Sequence, residues 1–341
     1  MTTKPTEVIW QETRCPLCRG DEAALMLEVT VPQESTPYRL MRCRACGIGY
    51  LNPRPTAETI GHYYPPEYAN YQPPVQKRAK KRWKEQLERL VLARFFGYPS
   101  PPLSWHEKLM ATLSRPWIGP RADSLSAVPF TGAGRLLDYG CGAGIFAQRM
   151  RQRGWDVVAM DFNEHTIEQV RRRYGLTAIA GMLPHPEINA ESFDVVTMGS
   201  VLEHVHEPHE LIASIVRILR PGGVLAISVP NLDSWQYRYF GKEWWSLELP
   251  RHLLHFTPAT LRRLMETHGL VVRDLVLPGR TGWMRRSLSL ARKAGRNDLF
   301  VKIGRWPLVP SLLTHYTVQT QQSDCIQVMA TKPGKPIRQS A

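Results

Sequence analysis

Two pairs of cysteines carry the most explicit chemistry in this chain. Cys15-x-x-Cys18 and Cys43-x-x-Cys46 are each spaced as a metal-binding knuckle, with 24 residues between them. Two knuckles can supply four thiolates to one tetrahedral zinc ion, and a site closed by four sulfurs is structural because no position stays open for substrate. Arg14, Arg19, Arg42 and Arg44 flank the cysteines and are expected to stabilise a thiolate-rich site. The alternatives are reduced structural thiols or a redox pair. Cys325 reads as core, and Cys141 lies inside a second motif.

That motif is LLDYGCGAGIF, Leu136 to Phe146. Gly140, Gly142 and Gly144 follow an apolar strand that carries Asp138. A dinucleotide fingerprint needs G-x-G-x-x-G, and Ile145 stands where its third glycine belongs. A phosphate-cradling loop needs a lysine after its last glycine, and none follows Gly144. The remaining possibility is a ligand that approaches the glycines closely without a pyrophosphate. Asp161 ends the next strand, 23 residues after Asp138. Nucleoside-binding sheets place an acid at about that distance for the ribose hydroxyls.

Two further clusters could move protons. SVLEHVHEPHE brings Glu203, His204, His206 and His209 near the carboxyl end of the fourth strand. His204 is a base in one reading and a helix-start residue bonded to backbone in the other. YFGKEWWSLELPRHLLHFTP sets Arg251, His252 and His255 among Trp235, Tyr237, Tyr239, Phe240, Trp244 and Trp245. One reading is an acceptor pocket walled by Trp244, Trp245, Arg251 and His255, with His252 as base. The other is a satellite core under a long loop.

These residues need elements to hold them. From residue 131 onward strands and helices alternate, which argues for a parallel α/β sheet with right-handed crossovers. GRLLDYG, WDVVAMD, LTAIAG, FDVVTMGSV and VLAISVP read as strands. NEHTIEQVRRRYG reads as a helix capped by Asn163 and stopped by Gly175. TPATLRRLMETHG starts on a Thr257 cap with Pro258 at the first helical position. In such a sheet the ligand sits beyond the carboxyl ends of the strands, beside the first one.

With the glycine loop, the acid of VVAMD, FDVVTMGSVLEHV and ILRPGGVLAISVPN in this order, the chain resembles class I S-adenosylmethionine-dependent methyltransferases. The cysteine pairs, YLNPRP and PRHLLHFTPATL are similar to a bacterial subgroup with an N-terminal zinc-binding module. The resemblance implies a doubly wound, seven-stranded Rossmann-like α/β sheet with its last strand antiparallel, and a small zinc-ribbon-like module before it. It implies S-adenosylmethionine as cofactor. Gly140, Cys141, Gly142 and Gly144 would let the backbone approach the methionine part, and Asp138 would accept from its ammonium. Asp161 would hold the ribose, Gly181, Met182 and Leu183 would flank the adenine, and Gly199 would line the site after strand four. Metal-dependent relatives carry E-x-x-E-H at that strand, where this chain has Ser200 and matches only at Glu203 and His204.

The boundaries expected are a zinc-binding module over 1–60, a linker with a basic amphipathic helix over 61–130, the cofactor-binding core over 131–275, and a basic insertion with the final strand over 276–341. The net charge of +14 is uneven, at +6 over 1–130, −2 over 131–230 and +10 over 231–341. The surplus therefore belongs to the flanks and to a partner or surface, not to the glycine loop. Over 77–96, Trp83, Leu87, Leu90, Val91 and Phe95 share a helical face bordered by eight Lys/Arg. Together with 283–313, placed away from the glycine loop, this segment suggests a patch for an anionic membrane surface. The alternative is two helices packed on the core with solvated basic faces. No stretch of about 18 apolar residues and no apolar leader is present, so a cytoplasmic location is expected, peripheral at the inner membrane face if the patch is used. The acceptor expected is a small or lipid-linked metabolite methylated on oxygen or carbon. The runner-up is RNA, bound by the zinc module and the basic flanks. The N/D-P-P-Y/F motif of base-amine methylases does not follow strand four, and NPRP at 52–55 lies in the other domain.

Overall fold

The computed structural model describes residues 7–31, 36–65, 68, 71, 82–118, 125 and 128–334. The N-terminal strands are β1 (Trp10–Gln11), β2 (Ala23–Val29), β3 (Tyr38–Cys43), β4 (Gly49–Leu51) and β5 (Arg54–Pro55). β2, β3 and β4 form an antiparallel meander, and β1 pairs with β5. Two helices follow, α1 (Arg82–Phe96) and α2 (Trp105–Ile118). The alternating region then runs β6 (Arg135–Tyr139), α3 (Ile145–Gln152), β7 (Asp156–Asp161), α4 (Glu164–Tyr174), β8 (Thr177–Ala180), β9 (Phe193–Gly199), α5 (Pro208–Ile218) and β10 (Leu219–Pro230). After it come α6 (Trp235–Phe240), β11 (Leu254–His255), α7 (Pro258–Thr267), β12 (Val271–Val276), α8 (Thr281–Lys293), α9 (Leu299–Ile303), α10 (Val309–Gln319) and β13 (Cys325–Thr331).

Seven strands make the main sheet, in the order β12-β13-β10-β9-β6-β7-β8. β6 to β10 are parallel, and β13 runs antiparallel to both of its neighbours. The chain winds outward from β6 to β8, then returns to the other side of β6 for β9 and β10. The switch point therefore lies between β6 and β9, where both carboxyl ends open a crevice. The inner strands are apolar along their length because helices cover both faces. Leu136, Leu137, Val195, Val196, Leu225 and Ile227 are fully buried there.

Local signals set the helix ends. The Asn163 side chain accepts from the Thr166 N–H, and Gly175 closes α4 in the left-handed conformation. Thr257 and Thr260 form a reciprocal capping box before α7, with Pro258 in its first turn.

One expectation about the flanks is corrected. Residues 77–81 of the basic helix lie outside the described residues. In α1, Leu90 and Val91 are buried with Ala111 of α2, and Leu87 and Phe95 pack around them, so α2 takes the apolar stripe. Trp83, half exposed, stays outside that cluster. The insertion before β13 folds as α8, α9 and α10, and none of residues 283–313 is among those lining the glycine-loop crevice, whereas Arg280, just before α8, is. No described helix is long and apolar enough to cross a membrane.

Strand β11 belongs to the other sheet. It pairs antiparallel with β4, Leu254 opposite Tyr50 and His255 opposite Gly49, so the N-terminal sheet reads β11-β4-β3-β2. A Cβ on Gly49 would lie 2.8 Å from Leu232 Cδ2 and 3.1 Å from His255 Cβ, so this contact requires a residue without one.

Candidate functional site

The glycine loop is strapped to the end of β7. The N–H groups of Gly140 and Cys141 both donate to the Met160 carbonyl, at 2.7 and 3.0 Å. Asp161 accepts from the Gly142 N–H at 3.0 Å and from the Asn163 N–H at 3.0 Å. Its carboxylate thus fixes two loops at once. Burial raises its pKa, and these N–H groups oppose the shift. Gly140 sits at φ +75°, and a Cβ there would lie 2.3 Å from Val201 Cγ2, so both conformation and space demand glycine.

Above this loop is a cleft of about 300 Å³. Asp138, Gly140, Cys141, Gly199, Ser200 and Ser228 line it from β6, β9, β10 and the loops after β6 and β9, Arg149 from α3, and Arg280 from the residue before α8. Asp138 Oδ1 accepts from the Thr197 hydroxyl at 3.1 Å, whereas Oδ2 is buried without a partner. Burial raises this carboxyl to about 7. An unsatisfied carboxylate oxygen at the foot of a cleft suits a cationic donor.

The loop after β9 and the segment leading into β11 bring together Glu203, His204, Glu248, Arg251, His252 and His255. The proton positions follow from their acceptors, because a carbonyl can only accept. His204 Nδ1 lies 3.0 Å from the Arg251 carbonyl and 2.9 Å from the Tyr64 hydroxyl, so Nδ1 carries the proton and Nε2 the lone pair. Burial, reinforced by His252, lowers its pKa to about 3 and keeps the ring neutral. His252 Nδ1 faces the Ser246 carbonyl at 2.8 Å and Nε2 faces Glu248 Oε2 at 3.1 Å. Both nitrogens therefore donate. Its pKa is raised because the Glu248 bond and the nearby carboxylates outweigh burial. Glu248 is correspondingly held down to about 2, its hydrogen bond from His252 and the adjacent Arg251 overcoming desolvation. The two imidazoles stand 4.7 Å apart, one neutral and one cationic.

Glu203 is fully buried with both carboxylate oxygens unpartnered, and burial raises it to about 7. Ligand atoms of Glu203, His204 and His252 lie within 4.8 Å of one another, a donor set that could hold a divalent cation. To serve as a ligand, His252 Nε2 would have to lose its proton and turn from Glu248.

The four cysteines converge as the spacing requires. Cys15 Sγ lies 3.5 Å from Cys46 Sγ, and Cys18 Sγ 3.5 Å from Cys43 Sγ, with all four within 4.8 Å. These separations exclude disulfides at about 2.05 Å and approach the roughly 3.8 Å of sulfurs around tetrahedral zinc. Arg19 and Gly47, each following the second cysteine of a knuckle, share a left-handed conformation at φ 62° and 83°. Three of the four flanking arginines are held by carboxylates. Arg14 pairs with Asp21, Arg19 with Glu207 and Arg42 with Asp233, the last two reaching across to the main sheet's loops.

Several residues stand elsewhere than the sequence suggests. Trp244 is 1% exposed and packs with Phe240, Leu247 and Leu288, so it walls a core and not an open pocket. His255 is equally buried, with Nε2 bound to the Leu247 carbonyl. Trp245 is half-buried under the Arg286 guanidinium, and Arg251 lies over Tyr68. His206 binds the Pro55 carbonyl and His209 the Leu17 carbonyl, so both tie down the N-terminal module. Met182, largely exposed, and Leu183 are not among the residues lining the cleft. Tyr64, Thr197, Ser228, Glu248 and Arg280 were missed. Tyr64 sits in a proline- and tyrosine-rich stretch that reads as a connector, and Arg280 in no motif at all.

A family model described as a methyltransferase domain matches residues 76–275, more than half of the chain. A ubiquinone biosynthesis O-methyltransferase of Aeromonas salmonicida is 34% identical over 179 residues, covering 48% of this chain and 71% of that protein. One from Hahella chejuensis is 38% identical over 129 residues, covering 34% of this chain and 52% of that protein. The chain thus spans 52 to 71% of the length of these relatives. A solved S-adenosylmethionine-dependent methyltransferase from Mesorhizobium loti aligns with a TM-score of 0.42 at 18% identity, over 60% of this chain and 93% of that one.

Proposed function

The chain belongs to the methyltransferase-domain family, and from that premise we propose that it moves a methyl group from S-adenosylmethionine to a hydroxyl of a small or lipid-linked acceptor. The observation that carries this reading is the cleft at the β6/β9 switch point, with the buried, unpartnered Asp138 Oδ2 at its foot. The bound cofactor supplies a sulfonium methyl carbon open to in-line displacement. Gly140 and Gly142 would give it a close backbone approach, and Asp138 would accept from its ammonium group. Asp161 retains lone pairs for the ribose after accepting from Gly142 and Asn163, because each carboxylate oxygen has two.

The acceptor must stand in line with the methyl group and lose a proton. His204 is the base in this reading. Its neutral ring is oriented by Tyr64 and the Arg251 carbonyl, and its Nε2 has no partner among the described residues. His252 lacks a free lone pair and is read as the positioning cation beside it, held by Glu248. The separated protonation states of two adjacent histidines are what acid–base work requires. The four cysteines are read as a structural zinc site. The relatives' names support oxygen as the methylated atom and an intermediate of ubiquinone biosynthesis as the first acceptor to try.

The test supplies tritiated S-adenosylmethionine and fractionated cell extract to the full chain. Label in an O-methyl product of the small-molecule or lipid fraction is expected. Label confined to RNA would overturn the reading in favour of nucleic acid.

A further inference from the structure

The helical insertion between β12 and β13 holds a second cavity, of about 380 Å³, whose lining shares no residue with the glycine-loop cleft. Arg285 and Arg292, two turns apart on α8, line it together with Arg305 and Trp306 from the turn between α9 and α10. Gly304 brings that turn close. A Cβ on it would lie 2.7 Å from Leu288 Cδ2 and 2.9 Å from the Phe300 carbonyl.

No carboxylate lines this cavity, and none of the three arginines joins an ion pair among the described residues. Among the described residues Arg285 donates to the Pro307 carbonyl alone, at 3.3 Å, and the buried Arg292 Nη1 has no partner. Elsewhere the chain does pair its arginines, Arg220 with Asp194 and Arg296 with Glu243 and Asp298. Three guanidinium groups around one space repel each other, and a buried N–H without an acceptor is costly. A ligand bearing several anionic oxygens removes both penalties. Guanidinium forks match phosphate oxygens, and three of them suit the three or four oxygens of a phosphate better than the two of a carboxylate. Trp306, Pro307 and Pro310 add an apolar wall for an organic substituent, and Trp306, Leu308 and Leu312 stand 68, 72 and 64% exposed.

We propose that this cavity is a phosphate-ester binding site, with Arg285, Arg292 and Arg305 holding the phosphate and Trp306 the ester's organic part. A phospholipid headgroup and a free phosphorylated metabolite offer the same chemistry. The site does not depend on the methyl-transfer reading, and its test uses no turnover.

The full chain and its Arg292→Gln/Arg305→Gln variant are titrated with glycerol 3-phosphate by calorimetry. Both are co-sedimented with phosphatidylglycerol and with phosphatidylcholine vesicles, and thermal melting checks the fold. Saturable binding to the full chain is expected, weakened roughly thirty-fold in the variant as two basic contacts to an anionic surface are lost. Arg305→Gln alone, on an exposed turn, serves if the double variant does not fold. Binding of phosphatidylglycerol vesicles, lost in the variant, supports the site with a headgroup as ligand. Binding of glycerol 3-phosphate alone, lost in the variant, supports it with a free metabolite. No binding of either probe, equal binding to both kinds of vesicle, or a folded variant that binds as the full chain does would overturn the proposal.

Discussion

At the scale of single residues, two histidines 4.7 Å apart are held in opposite protonation states, His204 neutral by burial and His252 charged by its bond to Glu248. If His204 is the base, His204→Gln should lower kcat by about 10²–10⁴-fold with little change in cofactor affinity. Single-turnover kinetics beside calorimetry would check this, and an unchanged kcat would remove His204 from the chemistry. The Glu248–His252 pair behaves differently. Its histidine component is present below pH 6.5, the ordinary value, and fades as pH rises through the raised folded pKa. Its glutamate component is present above pH 4.5 and fades as pH falls toward about 2. His255 has the reverse sign to His252. It is buried neutral with a pKa near 3 against 6.5 when unfolded, so its burial begins to destabilise the fold as pH falls below 6.5. Between pH 6.5 and 5 that loss is on the order of 2 kcal/mol. Denaturant midpoints at those two pH values should move further for the natural chain than for His255→Gln, and equal shifts would contradict the assignment.

At the scale of elements, the glycine loop is a turn whose geometry is set from three sides. Met160 and Asp161 hold its N–H groups, and Val201 fills the space where a side chain on Gly140 would go. Gly140→Ala should cost roughly 1–2 kcal/mol for the left-handed backbone alone, plus the clash, and should weaken cofactor binding. Adding Val201→Ala should recover the clash but not the backbone term. Calorimetry on the single and double variants separates the two, and full recovery would show that conformation at Gly140 contributes nothing. Asp161→Asn disturbs the loop less than Asp161→Ala, because the amide oxygen keeps one of the Gly142 and Asn163 N–H groups, which bind different carboxylate oxygens, whereas alanine abandons both.

At the scale of the molecule, the cysteine module is joined to the site it precedes. β4 pairs with β11, the Leu253 N–H donates to the Glu203 carbonyl, and His206 and His209 bind carbonyls of the module. Because His255 lies in β11 and His252 three residues before it, loosening the module should disturb the histidine cluster. If the four cysteines hold zinc as proposed, a chelator is therefore expected to lower the melting temperature of the whole chain and its methyl transfer together. A calorimetric scan with a separate module transition, and activity retained after chelation, would refute this coupling.

The sequence by itself determined what rests on short-range spacing. Knuckle spacing brings sulfur pairs together because each C-x-x-C closes one tight turn. Alternating apolar runs commit β6 to β10 to a buried parallel sheet, and caps such as Asn163 and Thr257 act within four residues. The glycine loop was legible for the same reason, since its ligand-facing shape is made by consecutive residues. The tertiary structure decided what depends on the partner across space. His252 and His204 look alike in sequence, and only the Glu248 carboxylate beside one and the burial of the other beside that cation make one charged and the other neutral. Trp244 resembles a pocket wall until Leu288 of α8 packs on it. The stripe on α1 resembles a membrane face until α2 covers it. Apolar pattern states that a face will be buried, and only the fold states against what.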